Sequence, residues 1–226
     1  MHCLDTVYDL TTLNVSQPLQ EKCFMVLGYW NPGDGGGGIF FWDSTFTGND
    51  DHGTVLKSKA LPPSEEGRWR RIYDGPVYVE WFGAKGNGLT DDTDPFNAAI
   101  AASRRVQLSG GKTYAVRGIS TAGSTSLHLF GAGGSHVNGD PRSVIIPHMS
   151  VLADKNIALL TIADTDLGSG PMQTRVENIY FDRKSITKYG IRILKSQSAK
   201  IKNVFISGCI TAGLFLDGTA AGSDQI

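Results

Sequence analysis

Three aspartates, Asp91, Asp92 and Asp94, crowd within four positions, close enough to share a metal ion or a proton. They stand just ahead of Pro95 and an apolar spacing at Phe96, Ala99 and Ile100 that continues to Ser103. That setting suits a helix start better than a reaction centre. Asp94 serves as N-cap, Pro95 opens the first turn, and the carboxylates complement the helix dipole. Two glycine motifs raise nucleotide binding. Residues 33–38 satisfy GxGxxG, but the run that follows, Ile39-Phe-Phe-Trp, is strand-like where a dinucleotide site needs a helix. Gly110-Gly-Lys-Thr113 ends like a phosphate loop, yet position 106, where its first glycine belongs, is Val. Both read as turns.

Metal and sulfur chemistry find little support. The five histidines show no ligand spacing. Cys3, Cys23 and Cys209 are odd in number and far apart, the pattern of three free thiols rather than of a disulfide framework. Neither a metal nor a cofactor is expected. Glycoside hydrolysis usually needs two carboxyls about 5–9.5 Å apart across the sugar. The carboxylates on the rungs are Asp164, Asp166, Glu177, Asp182 and Asp217; Asp182 and Asp217 end strands, but different strands of different turns, so no catalytic residue is assigned.

The elements that position such groups follow from short apolar runs recurring through residues 106–226. Val176-Glu-Asn-Ile-Tyr-Phe181 aligns with Ile201-Lys-Asn-Val-Phe-Ile206 at an offset of 25. Gly190-Ile-Arg-Ile193 aligns with Gly213-Leu-Phe-Leu216 at an offset of 23. A repeat of this size built from short strands signals a solenoid. Val176 and Ile179 are three apart and cannot both face inward along a straight strand. A bend at Asn178 resolves this, since Asn tolerates the left-handed region, and Asn203 repeats it one turn later. With Ile179, Phe181, Val204 and Ile206 inward, Tyr180 and Phe205 point outward and stack, a surface on which sugar faces can lie. Glu177 and Lys202 become an outer opposite-charge pair.

Composition agrees with a turn-rich β protein. There are 28 glycines, 19% charged residues and a formal net charge of −1. That balance carries no overall footprint for nucleic acid or an anionic membrane. The first 20 residues lack Lys and Arg and any long apolar run, so neither a secretory leader nor a membrane span is expected.

Trp81-Phe-Gly-Ala-Lys-Gly-Asn-Gly-Leu-Thr-Asp-Asp-Thr93, then a helix, then Val106-Gln-Leu-Ser-Gly-Gly-Lys-Thr-Tyr-Ala-Val116, resembles the opening motif of the pectate-lyase-like right-handed β-helix superfamily. Phage tailspikes and capsule depolymerases belong to that superfamily. Upstream, Val26-Leu-Gly-Tyr-Trp30, Gly35 to Gly38, Phe41-Trp-Asp43 and Gly67-Arg-Trp-Arg-Arg-Ile-Tyr-Asp-Gly75 are similar to the module that often precedes it. Asn87 departs from the usual Asp, and Pro95-Phe96 from smaller residues. The resemblance implies a mainly β homotrimer of parallel β-helices, carried on a phage tail by tail or baseplate proteins. It would bind, and often cleave, a bacterial surface polysaccharide by hydrolysis or elimination.

Four zones are expected: a lead or particle-anchoring segment (1–22), a small β module (23–75), a connector with a capping α-helix (76–105), and the first rungs of a right-handed parallel β-helix (106–226). Trp30, Trp42 and Trp69 are expected on the surface of the module, facing a partner. The pattern stops at Asp224-Gln-Ile226 with no cap, so a truncated chain without the catalytic middle rungs is expected. This segment would anchor, trimerise and initiate the β-helix, and would be inactive alone. The alternatives are a non-enzymatic fibre or adhesin on the same fold, or a stand-alone polysaccharide lyase or hydrolase.

Overall fold

In a computed structural model, the protein is described over residues 2–15, 23–62, 65–121, 126–133, 141–153, 157–163, 173–184, 186–194, 198–208 and 210–217. Cys209, Asp164 and Asp166 lie outside these residues, as does the side chain of Asp217. The chain opens with strand β1 (His2–Thr6) and helix α1 (Val7–Thr12). Thr6 and Asp9 form a capping box: the Thr6 hydroxyl accepts from the Asp9 N–H, and the Asp9 carboxylate accepts from the Thr6 N–H. Strands β2 (Cys23–Gly28), β3 (Gly38–Asp43), β4 (Val55–Leu56) and β5 (Arg68–Ile72) complete a sheet of order β1-β2-β3-β5-β4. β2 and β3 form the expected antiparallel hairpin across the glycine loop. β1 lies parallel to β2, so residues read as a separate lead contribute an edge strand of the same sheet.

The core of this module is Phe24, Val26, Phe40, Leu56 and Trp69, covered by Val7, Leu10 and Val15. The expected surface tryptophans divide. Trp69 is 0% exposed, with Phe24 edge-on at 5.3 Å and Trp42 at 5.2 Å. Trp30 alone of the three is strongly exposed, at 50%. The expectation failed for Trp42 and Trp69 because they sit opposite each other across β3 and β5 and close the face over Phe24.

The rest winds into a three-sided parallel β-helix. The first face stacks Val77–Tyr78, Arg105–Gln107, His128–Phe130, Gln173–Glu177 and Ser198–Lys202. The second stacks Asn87–Asp91, Lys112–Val116, Ser143–Pro147, Tyr180–Asp182 and Phe205–Ser207. The third stacks Ile119–Ser120, Ala158–Ala163, Tyr189–Leu194 and Ala212–Asp217. Val77 pairs with Val106 and Asn87 with Thr113, so the first turn begins inside the stretch read as a connector. In that turn helix α2 (Thr93–Ala102) takes the place of the third strand. Phe96, Ala99 and Ile100 are buried in the continuous core that runs through Tyr114, Leu129, Ile145, Phe181 and Ile191, so α2 closes this end of the solenoid.

The start of α2 differs from expectation. Its N-cap is Asp92, not Asp94. Asp94 lies in the first turn with its side chain 87% exposed, 3.5 Å from Arg117. Proline has no N–H to lose in a first turn, so the helix passes through Pro95 and begins two residues earlier. Asp91 accepts from the Thr93 N–H and hydroxyl and pairs with Arg117. Asp92 is buried and accepts from the backbone N–H groups of Lys85 (2.7 Å) and Gly86 (3.1 Å). Burial pushes its carboxyl above the ordinary range, against the pull of those hydrogen bonds. The three aspartates therefore fix a loop and a helix start.

The register matches the repeat. Val176 pairs with Ile201, Glu177 with Lys202, Tyr180 with Phe205, and Ile191 with Leu214. Asn178 (φ 58°) and Asn203 (φ 50°) both occupy the left-handed region, and Asn203 Nδ2 donates to Asn178 Oδ1 at 3.2 Å. Val176 and Ile179 are both fully buried on either side of that bend. Two details differ. Val204 and Ile206, on the last described turn, are only half-buried. The Glu177 carboxylate meets His128, 3.3 Å away on the turn below, and not Lys202.

Candidate glycan-binding face and its anchoring to the N-terminal sheet

On the second face strand parity turns Tyr180 and Phe205 outward, as expected, with ring centroids 5.6 Å apart. Phe205 is exposed and Tyr180 half-buried. The Tyr180 hydroxyl shares a 2.8 Å hydrogen bond with the Ser207 hydroxyl. The Arg142 guanidinium stands 5.2 Å from the Tyr180 ring centre. Asp182, outward on the same strand, is held at 2.8 Å by Lys184 and receives a hydrogen bond from Ser207. Burial alone would raise the Asp182 pKa; the hydrogen bonds from Lys184 and Ser207 outweigh it and keep the group ionised below the ordinary carboxylate range. Two rings, two cations, a hydroxyl and a carboxylate thus share one outer face. Such a surface can stack a pyranose face and bond its hydroxyls.

Ser207 was legible in principle, being two residues beyond Phe205 on an alternating strand. Arg142 was not, because it precedes the strand one turn below at an irregular sequence offset. Asn178 and Asn203 stand at the bend between the first and second faces, hydrogen-bonded to each other. Glu177 stands on the first face and Asp182 on the second, so these two do not flank one sugar. Among the described residues no three His, Cys, Asp or Glu gather as a metal site.

The N-terminal sheet is joined to the first turn by polar contacts. Arg71, nearly buried, donates to the carbonyls of Gly53, Gly37 and Gly36 at 3.0, 2.6 and 2.8 Å. Its guanidinium lies 4.5 Å from both the Phe40 and Trp81 rings. Lys112 reaches the Asp34 carbonyl at 2.6 Å and the buried Glu80 at 3.4 Å, and the Tyr114 hydroxyl donates to Glu80. Burial and then the Glu80 charge push the Tyr114 phenol upward, so it stays a donor. Asp34 organises the glycine loop by accepting from the N–H groups of Tyr29, Trp30, Asn31 and Gly36. Gly36 is required by space: a Cβ there would stand 2.6 Å from the Glu80 carbonyl oxygen.

Residues 3–74 match the family of the phage tail protein small four-stranded beta-sheet domain. Nearly the full length of the chain superposes on solved structures. One is tailspike protein gp49 of Acinetobacter baumannii bacteriophage Fri1, described as a capsular polysaccharide depolymerase. The match has TM-score 0.69 at 17% identity and covers 97% of this chain and 40% of that one. This chain has the tailspike fold. The gp42 tailspike of Acinetobacter phage vb_AbaP_AS12 matches with TM-score 0.65 at 14% identity, over 93% of this chain and 36% of that one. Pantoea stewartii WceF, a glycan biofilm modifying enzyme with a bacteriophage tailspike-like parallel beta-helix fold, matches with TM-score 0.61 at 19% identity, over 97% and 35%. The chain thus spans about two fifths or less of the length of these tailspike-fold proteins. Among the described residues no helix is long and apolar enough to cross a membrane.

Proposed function

We propose that this tailspike-fold chain is the N-terminal part of a homotrimeric phage tailspike or tail fibre that recognises, and in its full length degrades, a bacterial surface polysaccharide. The observation that carries the reading is a phage tail β-sheet domain fixed to a β-helix that presents Tyr180 and Phe205 outward. Residues 2–74 attach to other tail or baseplate proteins. Helix α2 initiates the solenoid, and three copies associate along its axis on the virion. The 226-residue chain by itself binds without cleaving: Glu177 and Asp182 stand on different faces, and no catalytic pair is assigned. A non-enzymatic fibre is the second reading, favoured by the same separation of carboxylates. The phage tail β-sheet domain disfavours a stand-alone bacterial lyase.

The test is binding of the purified chain to surface polysaccharide from the host of the phage, with oligosaccharide release measured in parallel. Tyr180→Ala with Phe205→Ala should weaken binding by about five- to tenfold, matching about 1 kcal/mol of lost ring contact. Oligosaccharide release by this chain, or unchanged binding by the double variant, refutes the reading of this face.

A further inference from the structure

The first face carries a second feature. Its register places Arg105 beside His128, His128 beside Arg175, and Arg175 beside Lys200. These four side chains alternate with the inward Val106, Leu129, Val176 and Ile201, so they form one outer column, a rung (about 4.8 Å) apart. Arg104, Arg105, Ser126, His128, Gln173 and Arg175 line an open groove of about 420 Å³ along it. Arg104, Arg105, Arg175 and Lys200 are exposed, and among the described residues no carboxylate pairs with any of them. The acid that reaches the column is Glu177, whose carboxylate meets His128 at 3.3 Å from the neighbouring column, where Lys202 is its in-register partner.

Like charges set directly opposite each other on adjacent strands oppose sheet formation. Arg175 and Lys200 are directly opposite in this way, and folding gives no reason for that pair. The chain as a whole is near neutral, so this column is a local feature and not the product of an overall positive charge. A ligand that offsets this repulsion must be anionic and must repeat along the solenoid axis. Guanidinium forks suit oxyanions held in two-point contact. A pyranose unit is comparable in length to one rung, so a polysaccharide with acidic sugars can present its anions in step with the column.

We propose that Arg105, His128, Arg175 and Lys200 form a binding track for an acidic polysaccharide, running along the first face and separate from the aromatic face of Tyr180 and Phe205. The proposal rests on the glycan-binding reading above and names the ligand class that a second face takes.

The experiment measures binding of the 226-residue chain to polygalacturonate, to dextran sulfate, to neutral dextran and to single-stranded DNA across a salt series. Binding to one or both acidic glycans, weakening as salt rises and absent for neutral dextran, is the expected result. Arg105→Ala with Arg175→Ala and Lys200→Ala should lower acidic-glycan affinity on the order of tenfold, each exposed contact contributing a few-fold. These residues are exposed and two of them repel, so thermal unfolding of the triple variant should match or exceed that of the parent. If it does not, Arg105→Gln with Arg175→Gln replaces it. No binding to either acidic glycan, an unaffected triple variant, or tighter binding to DNA than to acidic glycans overturns the track. A chain that binds host polysaccharide but neither acidic glycan loses the track alone. One that binds none of them loses the glycan reading as well.

Discussion

Replacing Asn178 separates two contributions that the ladder of asparagines combines. Asn178 sits at φ 58°, where a non-glycine residue with a Cβ meets its own carbonyl, and it also accepts 3.2 Å from Asn203 Nδ2. Asn178→Ala loses the ladder bond, about 0.5–1.5 kcal/mol for an ordinary hydrogen bond. It also takes on left-handed strain of roughly 1–2 kcal/mol that Asn tolerates better. The sum is about 1.5–3.5 kcal/mol. Asn178→Gly loses the same bond but adopts φ 58° freely, so its cost is about 1 kcal/mol, some of it from the entropy of the unfolded chain. Urea unfolding followed by far-UV circular dichroism gives both values, with the midpoints falling in the order parent, glycine, alanine. A glycine variant as unstable as the alanine variant would show that backbone handedness at the bend is not what Asn178 supplies.

Other perturbations test the remaining structure. Phe181→Ala removes a fully buried ring between turns and should cost about 3–5 kcal/mol by thermal unfolding. Lys202→Ala, exposed and without its expected ion pair, should change stability by less than about 0.5 kcal/mol. Arg71→Lys keeps the charge but cannot span three carbonyls with a planar fork. A loss of about 3 kcal/mol is expected from the resulting unpaired carbonyls, and limited proteolysis should show earlier cleavage between the sheet and the first turn. Burial opposes ionisation of Asp34, but four backbone N–H donors outweigh it and hold its pKa below 3.8. Its contribution is therefore complete well above pH 3.8 and is lost as pH falls through the lower folded value. Asp34→Asn should flatten the acid limb of a stability-versus-pH curve, and an unchanged limb would contradict that account.

What the sequence disclosed depended on whether local pattern or distant packing decided the outcome. The Asn178 and Asn203 bends were legible because strand parity allows no other way to bury both Val176 and Ile179. The outward stacking of Tyr180 and Phe205 followed from the same parity. Earlier turns were harder to read. Leu129 pairs with Val176 across 47 positions, while Val176 pairs with Ile201 across 25. The spacing between stacked strands thus changes from turn to turn, so periodicity fades although the strands stack. The cap of α2 was misplaced because proline in a first turn marks a neighbourhood and not a boundary. Trp42 and Trp69 were misjudged because burial of an aromatic depends on what lies across the sheet, here each other. The cations of the first face, scattered over 96 positions from Arg105 to Lys200, acquire a common line only through that stacking.

The joint between the N-terminal sheet and the solenoid also fixes an angle. Arg71 is clamped between rings from both sides, Lys112 of the second turn holds the Asp34 carbonyl, and Trp30 donates to the Gly83 carbonyl at 2.8 Å. These contacts tie the sheet to the first two turns at several points. A three-sided prism joined to its base in this way carries each face at a set bearing relative to that base. If the N-terminal sheet is the point of attachment, as proposed, the aromatic face and the cationic face would meet an approaching surface at angles already set by that joint.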